Sequence, residues 1–130
     1  MDALDLEALI FKSLGHPARL AILDALRGGE QCVCHLESSL GMRQAYISQH
    51  LAVLKESGVV QDRRDGWNIY YLVCRPEVFA AIDAARAIRG ARGKYQARRL
   101  ARSARCPCPK CKPEAERVLK REMPAVPEEV

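Results

Sequence analysis

Residues 32–73 read CVCHLESSLGMRQAYISQHLAVLKESGVVQDRRDGWNIYYLV, and this stretch indicates the fold class. Its first part predicts a short helix over Cys32–Leu40, which Gly41 ends. A second helix is predicted over Arg43–Ser57, where apolar residues recur at helical spacing until Gly58. Its inward positions are Ile47, Leu51 and Leu54. Helices joined by so short a turn indicate a helix-turn-helix unit.

A β-hairpin is predicted directly after this unit. Val59–Arg63 and Trp67–Val73 are rich in β-branched and aromatic residues, and Asp65-Gly66 between them is a strong turn signal. A hairpin that follows a helix-turn-helix unit is the element order of a winged helix, in which the hairpin is the wing.

Further helices are predicted on both sides of this stretch. Upstream, one helix covers Leu4–Leu14 and another begins at Pro17. Downstream, an Ala-rich helix begins at Pro76 and runs to about Arg102, although two glycines weaken its middle. The expected fold class is therefore mostly α with a β-hairpin wing, α+β, of the winged helix-turn-helix type.

Length and composition fit one soluble domain. The chain has 130 residues, of which 48% are hydrophobic and 28% charged, which supports one core and excludes wholesale disorder. We assign residues 1–104 to the winged helix-turn-helix domain and residues 105–130 to a tail rich in Cys, Pro and charge. No apolar run approaches the roughly 18 residues of a membrane span. The acidic N-terminus is not a secretory signal, so a cytoplasmic protein with no membrane partner is expected.

Charge and side-chain chemistry favour double-stranded DNA as the partner. The formal net charge is +5, and thirteen Lys or Arg residues but only two acids lie between Arg86 and Arg121. On the second helix of the unit, outward amides and hydroxyls suit base edges, and basic residues at the hairpin suit the backbone or minor groove. The candidate DNA-binding residues are Arg43, Gln44, Tyr46, Ser48, Gln49, Arg63 and Arg64.

The six cysteines form two clusters and one isolated residue. Cys32 and Cys34 form a C-x-C, a C-x-C-x-x-C lies in the tail, and Cys74 stands alone as a small core residue. In a reducing cytosol, clustered thiols bind metal or respond to oxidants more often than they form disulfides. The candidate metal ligands are Cys32, Cys34, Cys106, Cys108 and Cys111.

The sequence resembles the ArsR/SmtB metal-sensing repressors over roughly residues 4–83. The matching segments are residues 12–23 (KSLGHPARLAIL), 32–36 (CVCHL), 48–54 (SQHLAVL) and 64–72 (RDGWNIYYL). The resemblance implies a homodimer paired through its first and last helices. It also implies binding to an imperfect palindrome in the promoter of its own operon, and release of that DNA when an inducer binds.

By this resemblance, Cys32 and Cys34 match the metal-binding C-x-C of the family. A helix N-terminus favours the thiolate form that binds metal. Residues two apart in an ideal helix point about 200° apart, since a turn holds about 3.6 residues. One ion binding both sulfurs is therefore expected to distort the first helical turn, and to displace the DNA-reading helix through Gly41-Met42.

The arsenic-sensing pattern often has a third cysteine where this chain has Glu37. Arsenite or antimonite, the expected inducers, favour three sulfurs, so a tail cysteine of either subunit is expected to complete the site. Cadmium or lead is the alternative inducer. The final helix lacks the His and acidic pattern of the family's zinc and nickel sensors.

Several other interpretations are considered beside metal sensing. In one of them the protein is still a repressor, but its inducer is peroxide or reactive sulfur, which oxidises Cys32 or Cys34. An enzyme is disfavoured, because no nucleophile, base and orienting group are apparent together. A sequence-independent architectural DNA binder would not need polar residues at the reading positions. His16 is expected to lie at the start of a helix. His35 is expected to make a local hydrogen bond or to face solvent, and His50 to pack in the core or to contact a phosphate.

Overall fold

The computed structural model describes residues 1–90 of the chain. This part contains five helices and three strands. In chain order they are α1 (Ala3–Leu14), α2 (Pro17–Ala25), β1 (Gln31–Cys32), α3 (Val33–Leu40), α4 (Gln44–Glu56), β2 (Val60–Asp65), β3 (Asn68–Val73) and α5 (Glu77–Arg89). The order confirms the expected winged helix-turn-helix, with α3 and α4 as the helix-turn-helix unit.

The first two helices begin at side chains that cap them. Asp2 accepts a hydrogen bond from the backbone N–H of Asp5, and Asp5 accepts one from the N–H of Asp2, which forms a capping box. His16 caps α2, because its Nδ1 accepts from the N–H of Ala18 at 3.0 Å, and Pro17 occupies the first turn. The expectation that His16 is a helix-entry residue is confirmed.

The wing is a three-stranded antiparallel sheet rather than the expected two-stranded hairpin. The strand order is β1-β3-β2, and Cys32 in β1 pairs with Tyr70 in β3. Asp65 pairs with Asn68, so the turn consists of Gly66 and Trp67, one residue later than the turn signal. Only Gly66 of this pair has a positive φ, +62°, as in a type II′ turn.

The hydrophobic core lies where the apolar faces of the helices meet the base of the wing. Ile22, Leu36 and Leu54 come from three different helices and have no exposed surface. Val60 and Ile82 add one residue each from β2 and α5. This shared core fixes the helix-turn-helix unit and the wing relative to each other.

The final helix is shorter than expected. It ends at Arg89, because Gly90 has a φ of +64° and its N–H bonds to the carbonyl of Arg86. One uninterrupted helix to Arg102 was therefore a wrong expectation. The domain boundary after residue 104 and the candidate ligands Cys106, Cys108 and Cys111 lie outside the described residues. Within residues 1–90, no helix has the length and apolar character needed to cross a membrane.

Candidate nucleic-acid interface and thiol site

The entry into α4 is set by a glycine. Gly41 adopts a left-handed conformation with φ of +66°, and its N–H bonds to the carbonyl of Glu37 at 3.0 Å. The chain turns sharply there, and Arg43 in extended conformation precedes the first residue of α4, Gln44. The N-terminal turn of α4 is therefore presented at the surface.

One face of α4 is apolar and buried, and the other is polar and exposed. Ile47, Leu51 and Leu54 have no exposed surface, which confirms the predicted inward positions. The predicted reading residues are all exposed; they are Arg43, Gln44, Tyr46, Ser48 and Gln49. Gln and Ser side chains both donate and accept hydrogen bonds, so this face suits contacts with base edges. Their contact with DNA stays a prediction.

The two arginines of the wing differ in their surroundings. Arg63 donates to both carboxylate oxygens of Glu30, with nitrogen–oxygen distances of 2.6 and 3.1 Å, and its guanidinium lies 4.8 Å from the ring centre of Tyr70. Its hydrogen bond to Glu30 raises the pKa of Arg63. Arg64 has no ion pair among the described residues. Arg63 thus braces the wing, and the contact of Arg64 with the DNA backbone stays a prediction.

A polar cluster joins α4 to α2 and its N-cap residue, and sequence reasoning missed it. The ring centre of His50 lies 4.3 Å from that of His16 and 4.6 Å from that of Tyr46. Its Nδ1 lies 3.1 Å from Nη1 of Arg19. Burial, with His16 and Arg19 nearby, lowers the pKa of His50. Packing was the expectation for His50 and is confirmed, but nothing in the sequence marks Arg19 as its partner.

The two thiols of the C-x-C lie side by side. Cys32 is the N-cap of α3, in extended conformation with φ of −80° and ψ of 158°, so it is outside the helix. Its Sγ accepts a hydrogen bond from the N–H of His35 at 3.3 Å and lies 2.7 Å from Sγ of Cys34. The expectation that the sulfurs diverge by the angle of an ideal helix was wrong, because only Cys34 has helical geometry.

The thiols border a small cavity that Gln44, one of the predicted DNA-reading residues, also lines. The cavity has a volume of about 160 Å³. It is lined by Cys32, Val33, Cys34, Gln44, Trp67, Asn68 and Ile69. Cys32 is buried with 2% of its surface exposed, whereas Cys34 is half-buried. A ligand from solvent therefore reaches the pair from the side of Cys34, between the start of α4 and the tip of the wing.

Within residues 1–90, the only thiols at this cavity are those of Cys32 and Cys34. Among residues 1–90, no three His, Cys, Asp or Glu side chains form a group that could hold a metal ion. His35 is 1% exposed, and its Nε2 lies 3.3 Å from the hydroxyl of Ser39. The local hydrogen bond expected for His35 is confirmed, and solvent exposure is excluded. Cys74 lies apart, with its thiol within hydrogen-bond distance of the carbonyls of Gly58 and Val59; it is half-buried, so the expectation of a core residue was wrong.

Comparison with known proteins agrees with this geometry. The family model described as bacterial regulatory protein, arsR family, matches residues 16–62. A helix-turn-helix transcriptional regulator of Methanocaldococcus jannaschii is 44% identical over 75 residues, which cover 56% of this chain and 84% of the relative. The arsenic resistance transcriptional regulator ArsR1 of Pseudomonas putida is 45% identical over 78 residues, or 58% of this chain and 59% of the relative.

Solved structures extend the likeness to the whole described fold. The transcriptional repressor BigR of Xylella fastidiosa superimposes with a TM-score of 0.60 at 35% identity, over 71% of this chain and 100% of that one. A homodimeric winged helix-turn-helix DNA-binding domain of Mycobacterium bovis gives 0.58 at 29% identity, over 71% and 90%. These relatives and this fold are those of transcription regulators rather than enzymes. The chain belongs to the ArsR/SmtB family of winged helix-turn-helix transcriptional repressors.

Proposed function

We propose that this repressor binds operator DNA as an apo homodimer and leaves it when arsenite or antimonite binds the thiolates of Cys32 and Cys34. The relative named as an arsenic resistance regulator and the homodimeric structural neighbour support this proposal. Cadmium or lead is the alternative inducer, because both are soft ions that thiolates prefer.

The observation that carries the proposal is the pairing of the two sulfurs, 2.7 Å apart, beside the DNA-reading surface. Thiophilic ions bind thiolates through the sulfur atoms, and a helix N-terminus favours the ionised form. The sulfurs of Cys32 and Cys34 are therefore close enough to bind one ion together once their side chains move the sulfurs apart to the span of two metal–sulfur bonds. A third sulfur would come from Cys106, Cys108 or Cys111 of either subunit.

The coupling to DNA runs through the shared cavity and the sheet. Gln44 at the start of α4 and Trp67 at the turn of the wing both line the cavity. Cys32 is also joined to the wing, because β1 pairs with β3. An ion on the sulfurs, with its remaining ligand, occupies the space between the two reading elements. Release follows if the ion binds more tightly to an arrangement of these elements that does not fit DNA.

The DNA-reading role of α4 is tested with Gln44→Ala. We expect specific operator binding to weaken by roughly 1–3 kcal/mol, with non-specific binding unchanged, because the amide reads a base. Gel shifts with the promoter upstream of its own gene and with unrelated DNA measure both affinities. Glu56→Ala, exposed in the last turn of α4, is the matched control. Unchanged operator preference in Gln44→Ala would mean that the reading surface lies elsewhere.

The inducer site is tested with Cys32→Ser and Cys34→Ser in the full, reduced chain. We expect both variants to bind the operator but to remain bound when arsenite, antimonite, cadmium or lead is added, because one sulfur alone does not hold the ion. Cys74→Ser, outside the site, should respond as the unmodified chain does. Trp67 is the single tryptophan of the chain and lines the cavity, so its fluorescence reports ion binding directly.

Three outcomes decide between the proposed signals. Full induction of either serine variant would remove the proposed site. Release by an oxidant, with no metal present and none of the four ions active, would assign thiol oxidation instead. X-ray absorption counts the sulfurs around the bound ion, and an unchanged count in a chain truncated before Cys106 would exclude the tail as a source of ligand.

A further inference from the structure

Arg19 of α2 links two other helices through its guanidinium. Its Nε donates to the carbonyl of Ser13 at 2.5 Å, and its Nη2 donates to the carbonyl of Lys12 at 3.2 Å. Both carbonyls belong to the last turn of α1, where carbonyls have no partner within the helix, although the carbonyl of Lys12 also accepts from the N–H of Gly15 at 3.4 Å. Two donors of one planar group thereby hold the C-terminal end of α1.

The third contact of Arg19 reaches the DNA-reading helix. Its Nη1 lies 3.1 Å from Nδ1 of His50 in α4. A guanidinium donates and cannot accept, so Nδ1 is the acceptor and the ring proton is on Nε2. The His50 side chain is 8% exposed and is held between the rings of His16 and Tyr46, so it has little freedom to turn. Arg19 therefore joins α1 to α4 through rigid partners at both ends.

The relative position of these two helices matters for a dimer on DNA. α1 has five exposed apolar side chains, which suit it to pair with a second copy; they are Leu4, Leu6, Leu9, Ile10 and Phe11. Half-sites in a palindrome are about one helical turn apart, roughly 34–36 Å, or a multiple of it. If α1 sets the dimer and α4 reads the bases, then the α1–α4 angle sets the distance between the two reading helices.

We propose that Arg19 is a positioning residue for operator binding. It fixes α4 relative to α1, and so matches the separation of the two reading helices to the spacing of the half-sites. This inference rests on the proposed homodimer and its palindromic operator. It assigns Arg19 no contact with DNA or with the inducer.

The test compares Arg19→Met with the unmodified chain on three DNA duplexes. The first is the operator, located beforehand by footprinting with the unmodified chain. The second is a single half-site, and the third is an operator whose half-sites are moved apart by one base pair. We expect roughly tenfold weaker binding of Arg19→Met to the whole operator, the equivalent of about 1.4 kcal/mol. Half-site binding should change far less, and the preference for the native spacing should shrink. The exposed Arg75, changed to Met, controls for the loss of one positive charge.

The results separate this inference from the proposed function. Absence of operator preference in the unmodified chain would remove the proposed function itself. With that preference present, unchanged operator binding by Arg19→Met would overturn the positioning role. An equal loss on half-site and operator would also overturn it, because that pattern means damage within each monomer. Circular dichroism establishes whether each variant is folded.

A second pair of variants keeps the test decisive if Arg19→Met does not fold. His50→Asn retains an acceptor close to the position of Nδ1, whereas His50→Phe retains a ring but has no acceptor. We expect His50→Asn to keep the spacing preference and His50→Phe to lose it. Equal spacing preference in the two variants would show that the hydrogen bond from Arg19 does not position the helix.

Discussion

At the scale of single residues, His50 is a buried base that must stay neutral. Its Nδ1 accepts from Arg19, and a proton there would turn the acceptor into a donor that faces an arginine. The titratable or charged groups that contact it are His16, which caps α2, Arg19 from α2 and Tyr46 from α4. Burial first, and then electrostatic repulsion from the neighbouring His16 and Arg19, lower the pKa of His50.

This lowered pKa predicts how folding stability changes with pH. The unfolded chain binds a proton on His50 near the ordinary value of about 6.5, whereas the folded chain does so only at lower pH. The free energy of unfolding should therefore fall as the pH drops from about 6.5 through the folded pKa. Urea unfolding of the unmodified chain and of His50→Asn at a series of pH values measures this contribution. Parallel pH curves for the two proteins would contradict the prediction.

At the scale of elements, the sequence predicted what depends on local patterns. Helix α4 was found from the recurrence of Ile47, Leu51 and Leu54, because a buried stripe leaves a period in the sequence. The strand β1 was missed, since a pair of residues has no period and its partner β3 lies far along the chain. The same pairing holds Cys32 extended, and for this reason the sulfur geometry expected from a regular helix was wrong.

Side-chain contacts between different elements could not be predicted from the sequence either, because the partners are far apart along the chain. Arg19 and His50 are 31 residues apart in sequence, and Arg63 and Glu30 are 33 apart. No rule of spacing selects such partners, because they depend on how the elements pack. Residue types alone suggested Arg63 for DNA, which stays a prediction, but they did not reveal that its guanidinium also contacts Glu30 and Tyr70. The exposed residues of α4 could be predicted, because they are the positions that remain once its buried apolar face is known.

At the scale of the whole molecule, the apolar face of α1 is larger than a monomer explains. Leu4 is 73% and Phe11 69% exposed, although both are apolar and lie on the same helix. Large exposed apolar patches on a soluble domain mark interaction surfaces. A two-fold dimer buries the same patch of both copies, and it brings two reading helices to one DNA. Helix α5 adds Ile88, which is 88% exposed, to the surface available for pairing.

A charge placed in this face should separate the dimer. We expect Phe11→Glu to raise the dimer dissociation constant at least about tenfold, because burying a Phe side chain contributes roughly 1.5–3 kcal/mol and the carboxylate resists burial. Sedimentation velocity over a range of protein concentrations measures the change, and operator binding should weaken in parallel. Gly28→Glu adds the same charge in an exposed loop where an added side chain meets no neighbour. Equal dissociation constants for Phe11→Glu and Gly28→Glu would place the dimer interface elsewhere.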